Sequence, residues 1–138
     1  MKIERDSWRM IEIIIRRYPD KKREYEEYIS DIMSSTQSDE YHGSSDNYSK
    51  PQSVTEAKAL KMTSVYADKI KREIQAVEFV YYGLKPEEKE LIKKRYWSNP
   101  DHKVSFEKIV GVNYSVTQMR RIVRKTILQV GRYLGEIK

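Results

Sequence analysis

Apolar residues recur every three or four positions along the C-terminal quarter of the chain and predict an amphipathic helix. Ser115 and Gln118 match a capping box, in which each side chain accepts the backbone N–H of the other residue, so the helix is expected to begin there. The opposite side of the helix is left to face solvent or a partner. Its predicted buried stripe comprises Val116, Met119, Val123, Ile127, Val130 and Leu134.

A short apolar segment before this helix completes a candidate helix-turn-helix. Residues 104–110 are expected to form a first helix with Phe106 and Ile109 on its apolar edge. Gly111 follows, and glycine permits the positive φ that a helix C-terminus commonly needs. A short helix, a turn and a capped second helix are the order found in helix-turn-helix DNA-binding proteins.

The exposed side of the second helix carries side chains suited to a DNA major groove. Arginine can donate two hydrogen bonds to guanine, glutamine can pair with adenine, and lysine or threonine can hold phosphates. A basic helix face is also commonly just a solvated surface, and that alternative stays open beside the functional one. The candidate DNA-binding residues are Lys108, Ser115, Thr117, Gln118, Arg120, Arg121, Arg124 and Lys125.

The apolar residues among the first 33 positions also have the spacing of amphipathic helices. A short helix is predicted to end at Tyr18-Pro19, and a second one is expected to begin at Pro19. Residues 1–33 are therefore predicted to form a helical hairpin, with Trp8 as its most buried anchor. Residues 34–52 are rich in serine and almost free of aliphatic side chains, which predicts a flexible linker.

Residues 53–138 are predicted to form a helical C-terminal domain. A capping box beginning at Ser53 opens a long helix to about Tyr82, and Pro86 starts another helix that runs to about Trp97. A helix of that length either spans its own domain or packs on a second subunit, so a homodimer is one of two open alternatives. Since no segment has the alternation of a strand, the expected fold class is all-α.

The 138-residue chain carries a formal net charge of +6, and most of it lies near the C-terminus. Residues 104–138 hold seven basic side chains against two acidic ones, a net +5, which favours an anionic partner such as nucleic acid. The chain has no cysteine, no apolar run near the ~20 residues of a membrane span, and no signal-peptide core at its start. We therefore expect a soluble, cytoplasmic protein without a membrane partner.

Catalytic chemistry has few candidates in this sequence. The two histidines, His42 and His102, are expected in the linker and in a turn, and the five glycines are too scattered for a phosphate-binding loop. Adjacent acidic residues such as Glu87 and Glu88 are interpreted as solvated surface rather than as a cation site. We expect neither enzymatic activity nor a bound metal or cofactor.

Residues 84–97 read LKPEEKELIKKRYW and follow the predicted long helix. Together with that helix they resemble phage transcriptional regulators of the RinA and ArpU type, whose C-terminal domain is like region four of bacterial sigma factors. The resemblance runs from about Ser53 to Leu134. It implies a sigma-like helix-turn-helix, with DNA contacts by Thr117, Gln118, Arg121, Arg124 and Lys125 and packing roles for Leu91, Tyr96 and Trp97.

The same resemblance implies a biological role. Such a protein is a positive regulator of phage late or packaging genes, acts in the cytoplasm of the bacterial host, binds promoter DNA and contacts host RNA polymerase. These are expectations for the present chain.

Two other functions are compatible with the sequence. A small terminase subunit also combines a helix-turn-helix with helical oligomerisation segments, and it would recognise phage DNA for packaging. A protein-binding module would instead use the long helix and the N-terminal hairpin, and the basic terminal helix would be incidental. A ring of many subunits favours packaging, whereas a steep salt dependence of duplex binding excludes a module without DNA function.

Overall fold

The computed structural model describes residues 4–42 and 64–137, and every regular element in these two ranges is helical, which confirms the all-α fold class. The elements are α1 (Arg5–His42), α2 (Ser64–Tyr82), α3 (Pro86–Ile92), a π-helical turn (Lys93–Trp97), a 3-10 turn (Phe106–Lys108) and α4 (Val116–Leu134).

The first helix contradicts the predicted hairpin, because α1 continues through Pro19 without a break. A proline inside a helix has no N–H to donate to the carbonyl four residues earlier, here that of Ile15. The indole Nε1–H of Trp97 donates to the Ile15 carbonyl at 2.8 Å. A side chain from another element thus supplies the donor that Pro19 lacks, and the sequence around Tyr18-Pro19 does not contain that partner.

The predicted linker and long helix fall partly outside the described ranges. Residues 34–42 belong to α1, which corrects the first part of the predicted linker. Adding residues to an existing helix requires no new nucleation, so even a serine-rich stretch can continue it. Residues 43–52, and the predicted start of the long helix at Ser53, lie outside the described residues. The predicted end of that helix at Tyr82 is confirmed.

The chain divides into two compact units, whose boundaries lie inside α1 and α2. The larger unit comprises Met1–Pro19 and Arg72–Lys138, and the smaller comprises Asp20–Lys71. In the smaller unit, Nζ of Lys21 donates to the Tyr66 hydroxyl at 3.0 Å. No helix within the described residues is long and apolar enough to cross a membrane.

One hydrophobic core, to which all four helices contribute, holds the larger unit together. Ile11 and Ile15 occupy the centre of the α1 contribution, and Trp8, predicted as the most buried anchor, is only partly buried beside them. Leu91 and Tyr96, for which packing roles were expected, are fully enclosed, as is Ile92, whereas Trp97 is only partly buried against the same core. The stripe of α4 completes the core with Met119, Val123, Ile127 and Val130.

Candidate nucleic-acid interface

The N-terminus of α4 has the predicted capping box. Ser115 is extended, with φ −72 and ψ 165, and its Oγ accepts the backbone N–H of Gln118 at 3.2 Å. In return, Oε1 of Gln118 accepts the backbone N–H of Ser115 at 2.9 Å. Two of the N–H groups that a helix start leaves without intrahelical partners are therefore satisfied by local side chains, so the sequence sets this end of α4.

The C-terminal end of α4 is closed by a glycine and by an arginine from α2. Gly135 has φ 79, the left-handed conformation in which helices commonly end. Nη2 of Arg72 donates to the carbonyl of Leu134 at 3.0 Å. Both ends of the helix are thus determined, and its buried stripe fixes the direction in which the remaining side chains point.

All eight candidate residues are exposed. Burial of the apolar stripe leaves one continuous polar side on the first three turns of α4, and we call it the basic face. It consists of Thr117, Gln118, Arg120, Arg121, Arg124 and Lys125. The whole of α4 contains five basic and no acidic side chains. The face is therefore positively charged along its full length and has no carboxylate of its own helix to neutralise it.

The members of the basic face differ in their surroundings. Arg121 and Lys125 make no ion pair with any residue in the described part of the chain. Arg120 lies 3.7 Å from Glu107 across the turn, an exposed pair of small expected strength. The amide oxygen of Gln118 is engaged in the capping box. Arg121 and Lys125 are consequently the side chains most available to a ligand.

The segment before α4 departs from the predicted first helix. Only Phe106–Lys108 is helical, as one 3-10 turn, and Ile109 is already extended with φ −80 and ψ 123. The expected helix over residues 104–110 is therefore too long. Gly111 has φ 83, as predicted for the turn.

Two side chains from the π-helical turn explain this shortening. Nη1 of Arg95 donates to the carbonyl of Val104 at 2.7 Å, and Nζ of Lys94 donates to the carbonyl of Val110 at 2.5 Å. The guanidinium of Arg95 also stacks 3.8 Å from the ring centre of Phe106. Carbonyls on both sides of the 3-10 turn thus have tertiary partners, and a longer helix is not needed to satisfy them.

A polar cluster, in which Glu12 and Tyr96 are buried, joins α1 to the loop that leads into this turn. The Tyr96 hydroxyl donates to Oε2 of Glu12 at 2.7 Å, and Nζ of Lys103 reaches both carboxylate oxygens at 2.9 and 3.1 Å. Burial, followed by the charge of Glu12, raises the pKa of Tyr96 above its ordinary range. The neutral phenol therefore remains a hydrogen-bond donor. Through Tyr96 and Lys103, the Glu12 carboxylate binds both ends of the 96–103 segment.

One contact of the basic face was not predicted from the sequence. The guanidinium of Arg124 lies 5.6 Å from the ring centre of Trp8, a cation–π distance. The aromatic character of Trp8 was evident, but a single sequence carries no signal that pairs it with a residue more than a hundred positions away. The contact places the first turns of α1 beside the basic face.

The described parts of the chain contain no group of three or more histidine, cysteine, aspartate or glutamate residues that could hold a metal ion. Comparison with models of known protein families, with curated proteins and with solved structures finds no match for this chain.

Proposed function

We propose that the protein is a sequence-specific, double-stranded-DNA-binding transcription regulator that inserts the N-terminal turns of α4 into the major groove. The observation that carries the proposal is the basic face, a set of exposed side chains on a capped helix start that contains no acidic residue. Helix-turn-helix proteins place such a helix in the groove with its N-terminal residues against the base edges.

The side chains of the basic face suit two kinds of contact. Arg121 has the planar fork that binds O6 and N7 of guanine, and no competing ion pair within the described residues occupies it. Lys125 and Thr117 suit phosphate oxygens, which set the register of the helix on DNA without reading sequence. Base recognition is assigned to Arg121, and affinity is shared with the other basic residues.

The biological role is proposed from the resemblance of residues 84–97 to phage regulators of the RinA and ArpU type. We assign the protein to activation of phage late or packaging genes in the cytoplasm of the bacterial host, with host RNA polymerase as a second partner. Recognition of DNA for packaging, as by a small terminase subunit, is the competing role, and it shares the DNA-binding chemistry.

The decisive experiment is selection of bound sequences from a random duplex pool, carried out with wild type and two arginine variants. Arg121→Ala should lower affinity for the selected site by ~1–3 kcal/mol and relax preference at one base position. Arg132→Ala is the matched control, because Arg132 is exposed on the same helix and lies eleven residues, about 16 Å, further from the helix start. It should leave base preference unchanged.

The outcomes separate the possible functions. An enriched site with a footprint upstream of a promoter supports regulation, whereas particles of many subunits in native mass spectrometry favour packaging. Loss of affinity on all sequences alike in Arg121→Ala would contradict base recognition by that residue. Absence of duplex binding by the wild-type protein would overturn the proposal.

A further inference from the structure

The first turns of α1 contact α4 at two places. Trp8 lies against Arg124, and Ile11 packs against the bare backbone of Gly131, where an added Cβ would stand 2.7 Å from Ile11 Cδ1. The later residue of α1 thus contacts the later residue of α4. Trp8 therefore lies next to the basic face, and the residues within one helical turn of Trp8 on α1 are close to that face as well.

Two arginines occupy this part of α1. Arg5 and Arg9 are one helical turn apart, and helical geometry places them within about 40° of each other around the axis. Both are exposed, and neither forms an ion pair with any residue in the described ranges. Asp6, the acidic neighbour of Arg5 within the helix, lies about 100° from Arg5 around the axis, so its side chain leaves the helix in a different direction.

The spacing of packed helices matches the dimensions of DNA. Neighbouring helix axes lie ~8–10 Å apart, and the major groove is ~12 Å wide between its two phosphate backbones. When α4 lies in the groove, a helix packed on its flank is positioned over a backbone rather than over bases. Side chains there meet phosphates, which have the same charge in every sequence.

We infer that Arg5 and Arg9 form a phosphate-binding edge, by which α1 holds the DNA backbone beside the groove entered by α4. The inference rests on the proposed function and extends it to a helix outside the helix-turn-helix. The ligand is the phosphodiester backbone of duplex DNA, and the contribution of the edge is independent of base sequence.

The test measures binding to a selected duplex and to a scrambled duplex by fluorescence anisotropy across a salt series from about 50 to about 200 mM. The double variant Arg5→Ala/Arg9→Ala should weaken binding to both duplexes by the same factor. The slope of log affinity against log salt should become shallower by about 1.8, because each lost phosphate contact removes about 0.9. Base preference in the pool selection should not change.

Two further variants complete the design. Arg17→Ala is the matched control, since Arg17 is exposed on the same helix but lies twelve residues, about 18 Å, beyond Arg5. Its slope should equal that of wild type. Arg5→Lys/Arg9→Lys should restore most of the slope, because a phosphate accepts a lysine point charge as well as an arginine fork.

The results distinguish the inference from the function on which it rests. If wild type binds DNA and the double alanine variant keeps the full slope, the phosphate-binding edge is wrong and the proposed function stands. A slope reduction of about 0.9 in Arg17→Ala, the same for each removed charge as in the double variant, would show a general charge effect and would also overturn the edge. If wild type binds no duplex, both proposals fail. Circular dichroism of each variant checks that α1 remains folded.

Discussion

The hydrogen bond from Trp97 to Ile15 predicts a specific coupling between Trp97 and Pro19. Trp97→Phe removes the Nε1–H and leaves the Ile15 carbonyl inside a helix without a donor, because Pro19 has no N–H. Leaving a buried acceptor without a partner costs ~1–3 kcal/mol. The smaller ring also loses part of its contact with Tyr18 and Tyr81, whose ring centres lie 5.4 and 5.0 Å away.

Pro19→Ala separates these two effects. Alanine restores an N–H that can donate to the Ile15 carbonyl, so in this background Trp97→Phe loses ring contacts alone. We therefore expect Trp97→Phe to cost ~1–2 kcal/mol less in Pro19→Ala than in wild type, a coupling that a double-mutant cycle measures directly. Pro19→Ala by itself should be stabilising, because proline is the poorest helix former.

The assay is urea unfolding of the four proteins of the cycle, followed by far-UV circular dichroism. Trp8→Phe in both backgrounds is the control, since Trp8 is the only other tryptophan and lies eleven residues from Pro19 on the same helix. Sites that far apart should show additive effects within ~0.5 kcal/mol. A cost of Trp97→Phe that is equal in the two backgrounds would refute the role assigned to Trp97.

Two further predictions concern the turn before α4 and the buried cluster. Gly111→Ala should destabilise the fold by ~1–2 kcal/mol, because Gly111 has φ 83. Gly83→Ala is the control and should not destabilise the fold, because Gly83 does not have a positive φ. Urea unfolding compares the two variants, and equal effects would contradict the role assigned to the positive φ of Gly111. The raised pKa of Tyr96 means that the folded state keeps a proton which the unfolded chain releases above the ordinary value of 10.0. Stability should therefore be full below about pH 10 and fall above it by about 1.4 kcal/mol per pH unit. Tyr96→Phe should remove that part of the slope, and an unchanged slope would show that Tyr96 titrates normally when folded.

Much of the candidate interface was predictable because its determinants are local. The capping box joins Ser115 to a residue three positions away, and the buried stripe of α4 follows from helical spacing alone. Once the start and the buried side of a helix are known, its exposed side is known as well. This is why the six residues of the basic face are exposed as expected.

Features that depend on distant partners were not predictable in the same way. The polarity pattern and the proline signal at residue 19 indicated a break, and the pattern over residues 104–110 indicated a longer helix. Trp97, 82 positions from Ile15, keeps α1 continuous, and Arg95 and Lys94 shorten the first helix of the helix-turn-helix.

The sequence by itself determined an all-α chain with a capped, basic, amphipathic helix at its C-terminus, since these properties arise from neighbours within one or two helical turns. Only the tertiary structure decided that α1 is one helix and that Trp8 lies against Arg124. Those outcomes depend on hydrogen-bond donors and aromatic rings from distant parts of the chain, and local helix preferences contain no information about these partners.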